Sequence, residues 1–235
     1  MKKEQQAFEL VIFDCDGVLI DSETLASRID AEELTRLGYP TSYSDVVLRF
    51  TGLSSATMRK MVEEDWGRAL PDDFDAMVQA RIKESYRTEL QAIAGIDNLL
   101  HQLPSPRCVA SSSAPEKLRL GLELTGLLPH FEPHVFSSVM VKVGKPAPDL
   151  FLFAAAKMGV EPARCVVVED SIAGVRASVA AGMTVIGFTA GGHCLEDHGQ
   201  RLLSAGAAVV ARSAEDLGAL LTTSEVRLRA RMPES

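Results

Sequence analysis

Two aspartates stand two residues apart in Asp14-Cys15-Asp16-Gly17-Val18-Leu19-Ile20-Asp21-Ser22-Glu23, directly after the apolar run at residues 8–13 (FELVIF). Carboxylates held that close at the end of a buried strand repel, at a cost on the order of a kcal/mol or more per pair in a partly desolvated site. A divalent cation removes the cost. The plainer reading is a pair of turn or helix caps, which aspartate commonly provides. A second acidic pair, Glu169-Asp170, follows residues 165–168 (CVVV) and precedes Ser171, Ala173 and Gly174. Acidic pairs after two separate buried strands are hard to attribute to stability alone.

Two further candidates lie between those pairs. Residues 107–110 (RCVA) run into Ser111-Ser112-Ser113, ahead of a helix expected to open at Pro115. Hydroxyls and free backbone amides at the start of a helix make an anion site, although serines there often serve only as turn and cap residues. Gly144-Lys145-Pro146-Ala147-Pro148-Asp149 fixes a lysine between glycine and proline. A lone lysine is usually a solvated charge, but here the prolines restrict the backbone and give the side chain a direction.

The elements that must position these residues are short. Apolar runs at residues 8–13, 107–110, 134–136, 165–168 and 184–188, with a weaker one at 207–210, are apolar throughout rather than alternating. That pattern suits strands buried on both faces of a parallel sheet. Helical stretches at 115–125, 148–158 and 172–181 separate them, so the expected fold is α/β, a Rossmann-like doubly wound parallel sheet. Residues 24–91 break the alternation. LASRIDAEELTRLG, SSATMRKMVEEDW and DDFDAMVQARIKESYRTEL read as amphipathic helices with no strand between them. They form an inserted helical unit, expected as a lid over the carboxyl ends of the strands, where open α/β sheets bind ligands. The expected division is a core of residues 1–22 and 92–235 with an all-helical cap of residues 23–91.

Composition excludes several classes. The chain has 235 residues and a net charge of −8, with 46% hydrophobic and 24% charged residues. These are ordinary proportions for a globular protein, and the acid excess argues against a nucleic-acid groove. An anionic substrate therefore needs a local positive partner: a lysine, a helix N-terminus or a metal ion. No apolar run approaches the roughly 18 residues of a membrane helix, and the first residues lack a secretory pattern. Cys15, Cys108, Cys165 and Cys194 form no CxxC, and the five histidines form no HExxH. Reduced thiols in a cytoplasmic protein are expected, and any metal is expected to be a hard one held by carboxylates.

The four motifs DxDGxLxDSE, the strand-end serine, GKPAPD and VVVEDSxAG, in this order, resemble those of the haloacid dehalogenase superfamily. They are similar to its phosphatase and phosphomutase branch with a helical cap after the first motif, and the similarity covers about residues 8–190. The resemblance implies a Mg²⁺-dependent phosphatase working through an aspartyl-phosphate. It implies Asp14 as nucleophile and Asp16 as general acid/base. Ser111, with Ser112 beside it, becomes the phosphate-oxygen donor, and Lys145 the cation steadying nucleophile and phosphoryl group. The implied Mg²⁺ ligands are Asp14, the Asp16 backbone carbonyl and Asp170, with Glu169 ligating directly or through water. Phosphoryl transfer is mostly positioning and charge neutralisation, which suits this division of labour.

Other readings are weaker. Dehalogenases of the superfamily do not need the second aspartate. β-Phosphoglucomutase-like enzymes carry a cap histidine and arginine where this chain has Ala26 and Ser55, which favours hydrolysis. Phosphonoacetaldehyde hydrolases need a lysine in the first cap helix, and none is present. From another class, a phospho-accepting receiver is about half this length, and a non-catalytic relative would have lost part of the constellation. The loop expected to read the leaving group is residues 49–55, where Gly52 permits a tight turn and Thr51, Ser54 or Ser55 offers a hydroxyl to a polyol. Arg49 and Arg59 are candidates to meet a second anionic group. The expected substrate is a small phosphorylated metabolite, a sugar phosphate or phosphorylated sugar acid, taken by a monomer or weak dimer without nucleic acid or membrane.

Overall fold

The computed structural model describes residues 8–50, 55–223 and 226. Six strands form one sheet: β1 (Leu10–Phe13), β2 (Arg107–Ser111), β3 (Val135–Ser137), β4 (Cys165–Glu169), β5 (Thr184–Phe188) and β6 (Val209–Ala211). All pairs are parallel, in the order β3-β2-β1-β4-β5-β6. The expected strands all form, with ends shifted by one to two residues. Pairing sets those ends: β2 runs on to Ser111 because Ser111 faces Ser137 of β3.

Side-chain alternation divides the core into two layers. Val11, Phe13, Val166 and Val168 pack with Leu100 of α5 (Ile96–Gln102), Leu118 of α6 (Pro115–Leu124) and Leu217 of α10 (Ala214–Thr222). Leu10, Ile12, Cys108, Ala110, Cys165 and Val167 point the other way, onto Phe151 and Ala154 of α7 (Asp149–Met158). Strands apolar on both faces thus demand helices on both faces. α8 (Ile172–Ala180) and α9 (His198–Ser204) complete the winding around β5. The order reverses at β1, whose neighbours are β2 and β4, and ligands of open α/β sheets bind at such a switch point.

Between β1 and β2 lie α1 (Ser22–Arg36), α2 (Tyr43–Phe50), α3 (Ser55–Trp66) and α4 (Phe74–Glu89). They have an apolar cluster of their own, with Ile29, Leu34, Val62 and Phe74 fully enclosed. The two crossings into this helical unit meet at an antiparallel bridge between Ile20 and Ala92, where Asp21 N donates to the Gln91 carbonyl. Three helices were expected and four are found. Val46, Val47 and Phe50 share a buried face, so Arg49 and Phe50, the first residues of the loop expected at 49–55, belong to the last turn of α2. Among the described residues, no helix is long and apolar enough to cross a membrane.

Candidate active site

The carboxyl ends of four neighbouring strands meet at one cavity of about 540 Å³, lined by Asp14, Asp16, Ser111, Lys145 and Asp170. Asp14 follows β1, and its backbone N–H donates to the Val168 carbonyl at 3.0 Å, which sets it beside the end of β4. Lys145 reaches across from the loop before α7. Its Nζ lies 2.7 Å from Asp14 Oδ1 and 2.5 Å from Glu169 Oε1, with the side chain only 5% exposed. The Lys145–Pro146 peptide is cis. Burial alone would discourage charge on Lys145, but Asp14 and Glu169 hold it protonated above the usual lysine range.

Glu169 has no solvent exposure, and both its oxygens are engaged: Oε1 with Lys145, Oε2 with the backbone N–H and hydroxyl of Ser171. Ser171 also caps α8 by accepting from Gly174 N at 3.0 Å. A Cβ on Gly174 would overlap the Glu169 carboxylate, so that glycine makes room for the acid. Asp170 sits next along, 5% exposed. Asp14, Glu169 and Asp170 bring carboxylate oxygens within 4.8 Å of one another. Burial first, and then the neighbouring carboxylates, push the Asp14 carboxyl well above its ordinary pKa against the pull of Lys145. The floor carries more buried negative charge than its lysine offsets. Hard oxygen donors in such surplus fit Mg²⁺, whereas they would fit a soft metal poorly.

Asp16 is bound differently. Its Oδ1 accepts from Ser22 Oγ at 2.6 Å and Lys117 Nζ at 3.0 Å, and its Oδ2 from Ser113 Oγ at 2.6 Å. Burial would raise its pKa, but Lys117 and the two hydroxyls outweigh burial and hold it below the usual range. Ser111 is buried and its Oγ accepts from Ser113 N, while Ser112 is exposed at the cavity edge. The hydroxyls of Ser137 and Ser138, from the end of β3, donate to the carbonyls of Ser113 and Ser112 and fix the serine loop.

The helical unit holds fewer of the expected residues. Thr51, Gly52 and Ser54 lie outside the described residues. Ser55 opens α3 and, with Ala26 and Lys117, lines a second cavity of about 290 Å³ that shares Glu23 with the first. Arg49 and Arg59 correct the expectation of anion-reading arginines. Arg49 donates to Tyr39 Oη and pairs with Asp65, while Arg59 pairs with Asp75 and Glu63 and donates to the carbonyls of Leu70 and Pro71. Both hold helices together.

Sequence reasoning missed Ser22, Ser113 and Lys117, although the serine run and the first turn of α6 were in view. It also missed Glu23, whose carboxyl burial, and then Asp16, push up to about 7. His193 and His198 were tested only for metal spacing, yet they follow β5, another strand ending at this edge. His193 Nε2 lies 2.8 Å from Asp170 Oδ2, and His198 Nε2 donates to the Asp170 backbone carbonyl at 2.6 Å. Burial alone would lower His193, but Asp170 and Cys194 hold its proton and raise it to about 11. Gly17, at φ +78, lies so close that a Cβ there would overlap the Asp170 carboxylate and meet His193 at 2.7 Å.

Known proteins resemble this chain in sequence and fold. A family model of haloacid dehalogenase-like hydrolases matches residues 8–182. The 6-phosphogluconate phosphatase of Escherichia coli (strain K12) is 32% identical over 186 residues, covering 79% of this chain and 84% of the relative. A haloacid dehalogenase-like protein of unknown function from Agrobacterium tumefaciens superposes with a TM-score of 0.87 at 38% identity, over 91% of this chain and 97% of that one. A hydrolase of the same family from Deinococcus radiodurans, solved with bound phosphate and sodium, gives 0.83 at 32% identity over 94% and 98%. With the family model matched over residues 8–182 and relatives of 32% and 38% identity over most of its length, the chain belongs to the haloacid dehalogenase-like hydrolases.

Proposed function

We propose that this protein is a Mg²⁺-dependent phosphatase that hydrolyses a small phosphorylated metabolite through an aspartyl-phosphate on Asp14. One observation carries the reading: Lys145 Nζ, bridging Asp14 and Glu169, forms the floor of a cavity whose rim holds Ser111, Asp16 and Asp170. A carboxylate cannot approach an anionic phosphate without positive charge between them. Asp14, Asp170 and the Asp16 backbone carbonyl are the residues that would hold Mg²⁺, which when bound neutralises charge on the phosphoryl oxygens. Glu169, with both oxygens engaged, holds Lys145 in place.

The chain's own groups then divide two steps. Asp14 Oδ attacks phosphorus, Ser111 and Lys145 hold phosphoryl oxygens, and the bond from phosphorus to the leaving oxygen breaks as Asp16 gives that oxygen a proton. Asp16 next takes a proton from water, the water oxygen attacks phosphorus, and the Asp14 ester opens to release phosphate. Two lower barriers replace one high one. Lys117 and two hydroxyls hold Asp16 ionised in the arrangement seen, so losing the Lys117 contact raises its proton affinity before the first step.

The second cavity supports a sugar phosphate or phosphorylated sugar acid as substrate, as the name of the Escherichia coli relative suggests. Its polar lining of Ser27, Ser55 and Gln79 offers hydroxyl and amide partners to a polyol, and Lys117 is its cation. Ala26 lies where a mutase carries its histidine, so no imidazole there serves a second transfer. The four free cysteines suit the reducing cytoplasm. The test is phosphate release from a panel of phosphorylated sugars, sugar acids and polyols, with and without Mg²⁺. Metal-dependent release from a subset is expected. Conversion of a sugar phosphate to its isomer without free phosphate would overturn hydrolysis.

A further inference from the structure

We propose that His193, Cys194 and His198, in the loop from β5 to α9, form a site for a soft divalent transition metal of the Zn²⁺ class beside the acidic floor. Each offers one ligand atom, and these atoms lie within 4.8 Å of one another. Cys194 Sγ is 3.5 Å from His193 Nε2. A tetrahedral ion with Zn–S about 2.3 Å and Zn–N about 2.05 Å sets sulfur and nitrogen about 3.6 Å apart. Asp170 Oδ2, 2.8 Å from the same Nε2, ties the three residues to the acidic floor.

The hydrogen-bond geometry favours the same conclusion. A carbonyl oxygen only accepts, so His198 donates from Nε2 to the Asp170 carbonyl, which leaves Nδ1 as its ligand atom. Metal-ligating histidines are commonly anchored in this way through their other nitrogen. His193 Nε2 lies between a carboxylate and a sulfur, the position a metal would share with both.

The loop is held before any ion arrives. Tyr43 Oη of α2 donates to the Gly192 carbonyl at 3.0 Å, and Gly192 N donates to Asp21 Oδ1 at 3.3 Å. Ions reach it from the main cavity, which His193 and His198 line. Because His193 and His198 both contact Asp170, an ion held by them disturbs the place of Asp170 in the hard site. On the phosphatase reading above, Zn²⁺ is then an inhibitor that acts through Asp170.

The experiment titrates Co²⁺ into the full chain at saturating Mg²⁺ and reads the thiolate-to-cobalt charge-transfer absorption. Cys15, Cys108 and Cys165 are fully buried and supply no competing thiolate. The band is expected to saturate at one equivalent, to vanish in Cys194→Ser and to persist in Asp14→Asn. No thiolate band, a band unchanged in Cys194→Ser, or one lost in Asp14→Asn would overturn the site. This readout holds whether or not the chain hydrolyses any ester. Cys194→Ser should retain Mg²⁺-supported turnover within twofold and need at least tenfold more Zn²⁺ for half-inhibition. Equal Zn²⁺ sensitivity in the two proteins would overturn the coupling through Asp170.

Discussion

The strand-end floor and the helical unit above it treat charge in opposite ways. On the floor, Asp14, Asp16, Glu169 and Asp170 crowd around Lys145 and Lys117, and burial pushes Asp14 towards its neutral form. In the helices, arginines meet acids locally: Arg49 with Asp65, Arg59 with Asp75 and Glu63, Arg81 with Glu32 and Glu33. The floor gathers more carboxylates than its lysines offset. The helices pair their arginines with acids, and they offer a ligand hydroxyl and amide groups beside the carboxyls of Glu23, Asp30 and Asp75. Strain from charge is thus concentrated where chemistry is done, and its relief is a property of the loaded state.

The sharpest way to break this contrast is at Asp14. Asp14→Asn should lower turnover by a factor on the order of 10⁴ or more, the scale for loss of a covalent nucleophile. Steady-state phosphate release checks it, and a near-normal rate would end the nucleophile assignment. Asp16→Asn should cost about 10²–10⁴ in kcat with little change in KM, as for a general acid–base. A loss confined to KM would make Asp16 a binding group instead.

Stability should move the other way. A carboxyl whose folded pKa is raised contributes stability below its unfolded pKa and loses it as pH rises through the folded value. Metal-free wild type should therefore fall behind Asp14→Asn in Tm as pH rises from 4, and the gap should close in acid. Mg²⁺ at about 100 times its Kd should add about 2.7 kcal/mol to wild type, or about 5–10 °C, and much less to Asp14→Asn. Thermal melts with and without metal read both effects.

Smaller effects probe the boundary. Glu23, pushed up to about 7 by burial, lines both cavities, so KM should change a few-fold across neutral pH, and Glu23→Gln should flatten that profile. Arg49→Gln should leave kcat/KM within about twofold and cost at most about 1 kcal/mol of stability, as for an exposed pair. A tenfold rise in KM would return Arg49 to the substrate.

The floor was legible in the sequence because its chemistry is local. Asp14 and Asp16 share one turn, Glu169 and Asp170 another, and an apolar run before each fixes it at the same edge of a parallel sheet. The helical unit was legible only as helices. Arg49 and Phe50 were read into a loop since Val46, Val47 and Phe50 offer barely two turns of pattern. Arg59 looked free because Asp75, Leu70 and Pro71, which claim it, are 11–16 residues away in sequence. Ser22, Ser113 and Lys117 converge on Asp16 from α1, the serine loop and α6, a convergence that no spacing rule encodes. The histidines after β5 escaped notice for a related reason: their partner is Asp170, 23 and 28 residues away.

The most direct test of the central claim is chemical trapping of the phosphoryl group on the chain. Substrate and Mg²⁺ are mixed with enzyme, the reaction is quenched in acid within one turnover, and borohydride reduces any acyl phosphate before peptide mass spectrometry. Homoserine in place of Asp14, absent without substrate, is the predicted result. Trapping at Asp16 or Asp170, or none at all while phosphate is still released, would contradict it.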